Sequence, residues 1–335
     1  MAIEPSELAA VDLLAGIESS RLDPPARRMR RLDLPADHEI IRQGEAADWF
    51  ALVVDGELVV TRSEHGSDEE LAVVGAGSIV GELALLRGRS RVATVTTCTD
   101  TSVLTGDREA LLMLLHLPEV AARLRELVSL RLAEDAEPVP VIARDGTDMV
   151  LRPLRPDDRE ALEAGIDAMS DESLYRRFFT GGRPSDMLIE HLLHVDYVDH
   201  FAWVLAEPDG RHGVGVARYN RVADEPEVAE VAFALLDDQQ GHGLGTLMLG
   251  ALAVAAGTAG IQRLRAEVLA DNRPMRGVLD KAGASWSTVE AGVVGTEVDV
   301  GRARALLDAT TVARLERSVR EIVTASGLTL ARRVT

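Results

Sequence analysis

Residues 238–246 read Asp238-Gln239-Gln240-Gly241-His242-Gly243-Leu244-Gly245-Thr246. They follow an apolar run at 228–236 that reads as a strand, and they open a strongly helical run at 245–257. Glycines let the backbone approach a ligand closely, and a helix start turns bare N–H groups towards it. Such a place binds phosphate oxygens; a glycine-rich turn with no ligand is the plainer alternative. The spacing is not that of a dinucleotide loop, because Met248 stands where a third glycine would follow Gly243 and Gly245. A Walker A loop is excluded as well, since Lys281 is the only lysine of the chain.

Outward from this loop, strands and helices alternate. Strands are predicted at 150–154, 201–205, 213–219 and 264–269, and helices at 156–169 and 273–282. A helical pattern runs from 300 to about 324 and is followed by the short apolar Leu328-Thr329-Leu330. Upstream, the first twenty residues read as one amphipathic helix with Leu8, Val11, Leu13, Leu14 and Ile17 near one face. Residues 22–110 then hold short apolar runs separated by turn residues such as Asp55-Gly56 and His65-Gly66-Ser67-Asp68, with Asp55-Gly56 predicted as a tight hairpin. A spacing of about 8–12 residues between such runs marks a small β-sandwich or barrel. A helix is predicted over 108–132, and the acidic, proline-bearing stretch after it reads as a linker.

The glycine loop carries the pattern Q-x-x-G-x-G on Gln240, Gly243 and Gly245, after a strand bearing a glutamate. With the opening Leu151-Arg-Pro-Leu-Arg-Pro-Asp-Asp158 and the later Asn272-Arg-Pro-Met275, it resembles the acetyl-CoA site of the GCN5-related N-acetyltransferase superfamily over about residues 148–298. The resemblance implies that Gln240, the amides around Gly241, Gly243, Gly245 and Thr246, and Asn272 belong to the acetyl-CoA site. It also implies that Val231 and Phe233 pair with the pantetheine arm through their backbone. A lysine amine with a pKa of about 10.4 must lose a proton before it attacks a thioester, and a carboxylate near the thioester takes it. The resemblance assigns this role to Glu230, with Glu227 as the competing carboxylate. The tyrosine that family members often carry as general acid falls at Leu279 here, so no general acid is assigned.

The β-rich half holds a second motif, running from Gly77 to Val95. Gly81, Glu82, Leu83 and Ala84, then Arg91, Val92 and Ala93, resemble the phosphate-binding cassette of cyclic-nucleotide-binding domains. The likeness implies cAMP as ligand, its phosphate on Arg91 and on amides of a short helix opening at Glu82, and its ribose 2′-hydroxyl on Glu82. An arginine contact of this kind is worth roughly 1.5–3 kcal/mol. Arg89 is the competing phosphate ligand, and a buried arginine–glutamate pair with no ligand is the plainer alternative.

The length of 335 residues accommodates about two domains at roughly 150 residues each. A net charge of −19 argues against coating nucleic acid or docking on an anionic membrane. Cys98 stands alone, which excludes an internal disulfide and a thiolate-rich metal site. No run of about 18 apolar residues and no secretion signal is present, so the chain reads as cytoplasmic. His191, His194 and His200 lie near Asp196 and Asp199, yet a helix-end or surface role is the simpler reading, and no metal is expected in catalysis. Tyr175-Arg176-Arg177-Phe178-Phe179 suits a substrate groove or a packed core equally.

The expected fold is α+β, a β-roll (jelly-roll-like) regulatory domain at 1–135, a linker at 136–147, a mixed-sheet N-acetyltransferase domain at 148–300, and a helical extension at 301–335. In this order the halves resemble the cyclic-nucleotide-regulated protein lysine acetyltransferases of mycobacteria. That likeness implies acetyl transfer from acetyl-CoA to lysines of proteins such as acyl-CoA synthetases, activation by cAMP, and an autoinhibitory lid in the extension. Two other functions compete: a cyclic-nucleotide-dependent transcription regulator, which needs a basic helix pair after residue 135, and an acetyltransferase acting on a small-molecule amine.

Overall fold

The computed structural model describes residues 3–64, 67–134, 136–210 and 212–326. The chain forms two compact units, Met1–Arg125 and Glu126–Thr335. No helix among the described residues is long and apolar enough to cross a membrane.

The first unit opens with α1 (Pro5–Ala9), a 3₁₀ turn and α2 (Ser19–Ala26). The single N-terminal helix expected above is broken twice, at Val11, whose backbone is extended, and at Gly16, whose φ of +79° no helix accepts. Leu8, Val11, Leu13, Leu14 and Ile17, the residues expected on the apolar face, are all buried. Eight strands follow: β1 (Met29–Leu34), β2 (Glu39–Ile41), β3 (Trp49–Asp55), β4 (Leu58–Glu64), β5 (Ser67–Val74), β6 (Ile79–Val80), β7 (Thr94–Thr97) and β8 (Thr101–Asp107). The short α3 (Glu82–Arg87) lies between β6 and β7, and α4 (Arg108–Leu115) follows β8.

Two four-stranded antiparallel sheets, ordered β1-β8-β3-β6 and β2-β7-β4-β5, enclose a core that includes Val53, Leu58, Val80, Val95 and Val103. The Asp55-Gly56 turn is therefore no hairpin: β3 and β4 lie in different sheets, and the turn carries the chain from one to the other. Gly56, at φ +91°, passes so close to residues 100–101 that a Cβ would meet the Asp100 carbonyl at 2.6 Å. The predicted turn at His65-Gly66 lies outside the described residues. The helix expected over 108–132 divides into α4 and α5 (Pro118–Glu134), with proline at the first position of the second helix, where its missing N–H costs nothing.

In the second unit, β9 (Val139–Ile142) and β10 (Asp148–Pro153) precede α6 (Arg159–Asp167), α7 (Asp171–Phe178) and α8 (Asp186–Leu193). Then come β11 (His200–Ala206), β12 (Gly213–Val222), β13 (Glu225–Leu235), α9 (Leu244–Thr258), β14 (Arg263–Leu269), α10 (Arg273–Asp280), β15 (Ser287–Glu290), β16 (Val293–Asp299), α11 (Val300–Arg304) and α12 (Ala309–Ser326). The eight-stranded sheet runs β15-β16-β14-β13-β12-β11-β10-β9, and among the described residues only β13 and β14 pair in parallel. The expected linker is corrected here: residues 139–142 form the edge strand, each pairing across to β10.

Helix α9 is apolar on all sides, as a helix enclosed by protein must be. The sheet covers one side, where Trp203 Nε1 donates to the Ala251 carbonyl at 3.0 Å. On the other lie α11 and α12. Leu307 presses on Gly250 so closely that a Cβ there would meet it at 2.5 Å. Val312, Leu315, Val319 and Ile322 are buried, and Leu306 and Leu307 half-buried. The expected single helix breaks at Asp308, which accepts from the backbone N–H groups of Thr310 and Thr311. Leu328-Thr329-Leu330 lie outside the described residues.

The Leu151–Asp158 motif acts structurally. The buried Arg152 clasps Asp158 through both guanidinium nitrogens at 2.7 and 2.6 Å, and Asp158 also accepts from the Arg155 N–H at 2.7 Å. This ties β10 to the start of α6. Removing one member of a buried pair strands the other, so Asp158→Ala is expected to lower stability by about 3–5 kcal/mol in chemical denaturation. A loss below about 1 kcal/mol, the value of a surface pair, would contradict it.

Candidate functional site

Strands β13 and β14 pair over only three positions, Val228↔Arg263, Ala229↔Leu264 and Glu230↔Arg265. Beyond Glu230 they part, although β13 keeps its pairing with β12 as far as Leu235 and β14 keeps its pairing with β16 as far as Leu269. The sheet thus opens into a fork, and the fork is one wall of a cleft of ≈ 630 Å³ lined by residues 230–235 and 265–268. That volume is in the range of small-molecule sites. Between the prongs, β13 presents backbone N–H and C=O groups with no strand partner on that side, which an extended ligand can pair as a strand would. Val231 and Phe233, the two residues for which pairing with a pantetheine arm is expected from sequence, lie in this stretch.

The closed end of the fork is held by charge. Arg265 pairs with Glu225 at 2.9 Å and Glu297 at 2.6 Å, while Arg263 pairs with Glu297 at 2.7 Å and Glu227 at 3.5 Å. Glu227 is engaged in this network. Glu230 sits at the vertex, exposed to the cleft and with no ion pair among the described residues. Of the two carboxylates that the sequence leaves in competition, Glu227 has an ion-pair partner and Glu230 has none among the described residues.

The open end is the glycine loop. Gly241 and Gly243 have φ of +87° and +83°, and Gly243 is the N-cap of the fifteen-residue α9. A Cβ at Gly243 would meet the Arg144 side chain at 3.0 Å. Gly245 packs against Val278 of α10, where a Cβ would meet Cγ2 at only 3.1 Å. Thr246 differs from the expectation in detail: its N–H donates to the Gly243 carbonyl at 3.0 Å, and its hydroxyl accepts from Lys281 Nζ at 2.9 Å. Gln240 Nε2 braces the turn, donating to Asp237 Oδ1 at 3.1 Å. Asn272 caps α10 by accepting from the Met275 N–H at 3.2 Å and also lines the cleft.

Four cleft cations have no signal in the sequence reading: Arg144, Arg265, Arg273 and Lys281. Arg144, Arg176, Arg177, Arg265, Arg273 and Lys281 line it against only Glu230 and Glu267 among acids, so a strongly acidic chain keeps a cationic cleft. Such a field favours a polyanion. Arg144 comes from the turn between β9 and β10, whose N–H donates to the His242 carbonyl at 3.2 Å. Next to it, Asp145 accepts from the Thr147 N–H and from His242 Nδ1, which hold its pKa down to about 2. Of the Tyr175–Phe179 stretch, Arg176, Arg177 and Phe179 face the cleft, whereas Phe178 packs on the core of α6–α8. Leu279 is fully buried, and Tyr197 and Tyr219 donate to the carbonyls of Leu154 and Val198, away from the cleft. Residues 301–326 line no part of the cleft. His191 and His200 meet edge to face at 5.9 Å, and Asp196 is occupied in accepting three backbone N–H groups.

In the first unit the cassette residues Gly81, Glu82 and Arg91 converge. Gly81, at φ +81°, is the N-cap of α3, and Leu83 and Ala84 lie in that helix. Arg91 is 5% exposed and Glu82 1%. The Arg91 guanidinium donates to the Gly81 carbonyl at 2.8 Å and the Trp49 carbonyl at 2.7 Å, and lies over the Trp49 ring at 5.2 Å. Burial lowers its pKa, with Asp48, Glu82 and Glu45 opposing. A Cβ on Gly81 would meet Arg91 Nη1 at 2.6 Å, so the glycine makes room for the arginine. Its backbone is fixed at both ends, by Arg91 N–H to Glu45 and Gly44 N–H to Arg91. Arg89 and Val92 are exposed.

A cyclic nucleotide-binding domain matches residues 31–116 and an acetyltransferase (GNAT) domain matches residues 148–285. The acetyltransferase Pat of Mycolicibacterium smegmatis is 39% identical over 298 residues, covering 89% of this chain and 90% of that protein. The acetyltransferase PA5475 of Pseudomonas aeruginosa is 33% identical over 39% of this chain and 72% of its own length. Among solved structures, a mutant of a cAMP-binding acyltransferase from Mycobacterium smegmatis matches with a TM-score of 0.50 at 35% identity, over 96% of this chain and 98% of that one. The segment after residue 135, where a transcription regulator needs its DNA-binding helices, instead supplies strands β9 and β10. The chain belongs to the family of the acetyltransferase Pat, and is an acyltransferase that carries a cyclic nucleotide-binding domain ahead of its GNAT domain.

Proposed function

We propose that this protein is a cAMP-activated protein lysine acetyltransferase of the cytoplasm, moving acetyl from acetyl-CoA to lysine side chains of target proteins, acyl-CoA synthetases foremost. The observation that carries the proposal is the fork, with a free carboxylate at its vertex and an N-terminus of a long helix at its mouth. Pyrophosphate oxygens meet the glycine loop and the surrounding cations, and the thioester arm pairs with β13 through Val231 and Phe233. The thioester carbon then lies beside Glu230. The acceptor nitrogen attacks that carbon, the C–N bond forms as the C–S bond breaks, coenzyme A leaves as thiolate, and the amine proton passes to Glu230, directly or through a water. No metal takes part in these steps.

General-base catalysis contributes about 10²–10⁴-fold. Glu230→Gln is therefore expected to lower kcat by about 10²-fold or more, with the calorimetric affinity for acetyl-CoA changed by no more than about threefold. Unchanged turnover would remove Glu230 as the base.

For the regulatory half, cAMP places its phosphate on Arg91 and its ribose hydroxyl on Glu82, with Gly81, Leu83, Ala84 and Val92 around it. Activation requires that cAMP bind the active arrangement more tightly, by about 1–3 kcal/mol in a typical coupled system. Steady-state acetyl transfer to a protein lysine should rise with cAMP, by about 5–150-fold at that coupling, and in Arg91→Ala the ratio of rates with and without cAMP should collapse towards one. No rise in the wild type would overturn the regulation, and a normal rise in Arg91→Ala would reassign the phosphate to Arg89.

A further inference from the structure

Two arginines beside the cleft have no anion to answer them. Arg218 on β12 is 6% exposed, and its one hydrogen bond among the described residues is Nη2 to the Leu192 carbonyl at 2.7 Å. Half-buried Arg177 on α7 lies over the Phe178 ring at 4.8 Å. Neither has a carboxylate within ion-pair distance among the described residues. Burial, with Arg177 adding to it, pushes Arg218 down to about 9, which still leaves it charged at neutral pH. An uncompensated charge in so dry a place is costly, and buried charges are ordinarily paired with a counter-charge.

Arg177 and Arg218 both line a cavity of ≈ 70 Å³ beneath α6, α7 and α8, whose other walls are mainly apolar, with Leu162, Phe178 and Val216 among them. Arg152 and Asp158 also face it, but they neutralise each other in the bidentate pair described above. The surplus charge is therefore positive and belongs to Arg177 and Arg218. At roughly 10–15 Å³ per water-sized group, the space holds about five such groups, too few for a peptide segment. The cavity adjoins the acetyl-CoA cleft, since Met169, Arg177, Ala234 and Leu235 line both. Arg218 pairs across to Ala232 and Asn220 to Glu230, so Arg218 and Glu230 project from one face of the sheet as diagonal neighbours.

We propose that this cavity receives the tail of an acyl group ending in a carboxylate, so that dicarboxylic acyl-CoAs of succinyl size serve as co-substrates beside acetyl-CoA. The inference rests on the reading of the fork as an acyl-CoA site. The methylenes fill the apolar walls, and the distal carboxylate meets Arg177 and Arg218. The reaction is otherwise that of acetyl transfer: the amine nitrogen bonds the thioester carbon, the C–S bond breaks, the proton goes to Glu230, and the distal carboxylate is untouched.

Calorimetry on the full chain with acetyl-CoA, succinyl-CoA and butyryl-CoA tests it, because butyryl matches succinyl in length and lacks the charge. Succinyl-CoA should bind at least about tenfold more tightly than butyryl-CoA, the lower end for hydrogen bonds to charged groups, and that ratio should fall towards one in Arg218→Met and shrink in Arg177→Met. A wild-type ratio near one overturns the inference whether or not the variants fold. A ratio that persists in a folded Arg218→Met, judged by circular dichroism, overturns the assignment to this residue. Failure of acetyl-CoA itself to bind would instead overturn the acyl-CoA reading of the fork.

Discussion

Hydrogen bonding between β13 and β14 stops after three residue pairs while each strand stays paired on its outer side, and the acyltransferase half is organised around that interruption. Backbone polar groups deprived of a partner are expensive unless water or a ligand satisfies them. A sheet that opens in its middle therefore needs a reason, and an extended arm bearing its own amides supplies one. The surroundings serve the same end: the Arg263–Arg265–Glu225–Glu297 network clamps the closed end, and α9 begins at the open end through a glycine in the left-handed region. Glu230 gains its place from being the last paired residue before the strands separate.

The regulatory half rests on a different constraint, a buried arginine in debt to its own backbone. Arg91 holds the Gly81 and Trp49 carbonyls, so it joins the start of α3 to the end of the β2–β3 connection before any ligand is considered. An anion reaching Arg91 meets a guanidinium already oriented, whose remaining donors are directed by those two bonds. A ligand that binds one arrangement of these contacts more tightly than another shifts the population towards it.

Much of the site was legible in sequence because it is local. The Gly241–Gly245 loop, the β13 strand before it and the Gly81–Arg91 cassette each lie within a few residues, and the glycine positions announce backbone geometries that few other residues adopt. What escaped was set by long-range packing. Arg144 reaches the loop from a segment that composition marks as linker, and only the pairing of β9 with β10 places it there. The Asp55-Gly56 turn has the composition of a hairpin, yet the pairing partners of β3 and β4 decide that it crosses between sheets. Arg218 sits in an apolar strand with nothing nearby in sequence to mark it as buried and unpaired; its meeting with Arg177 is a product of the tertiary fold. Gly16 and the capping Asp308 mark helix breaks inside stretches whose apolar periodicity is continuous, so local spacing alone does not reveal them.

Amide hydrogen exchange at Val231 and Phe233 tests the central role of the fork most directly. Their N–H and C=O groups lie in the stretch of β13 that has lost β14 as partner, so addition of acetyl-CoA should slow exchange in this stretch, while Val228 and Ala229, already paired to β14, change little. Exchange in residues 231–235 that is indifferent to saturating acetyl-CoA would contradict the account.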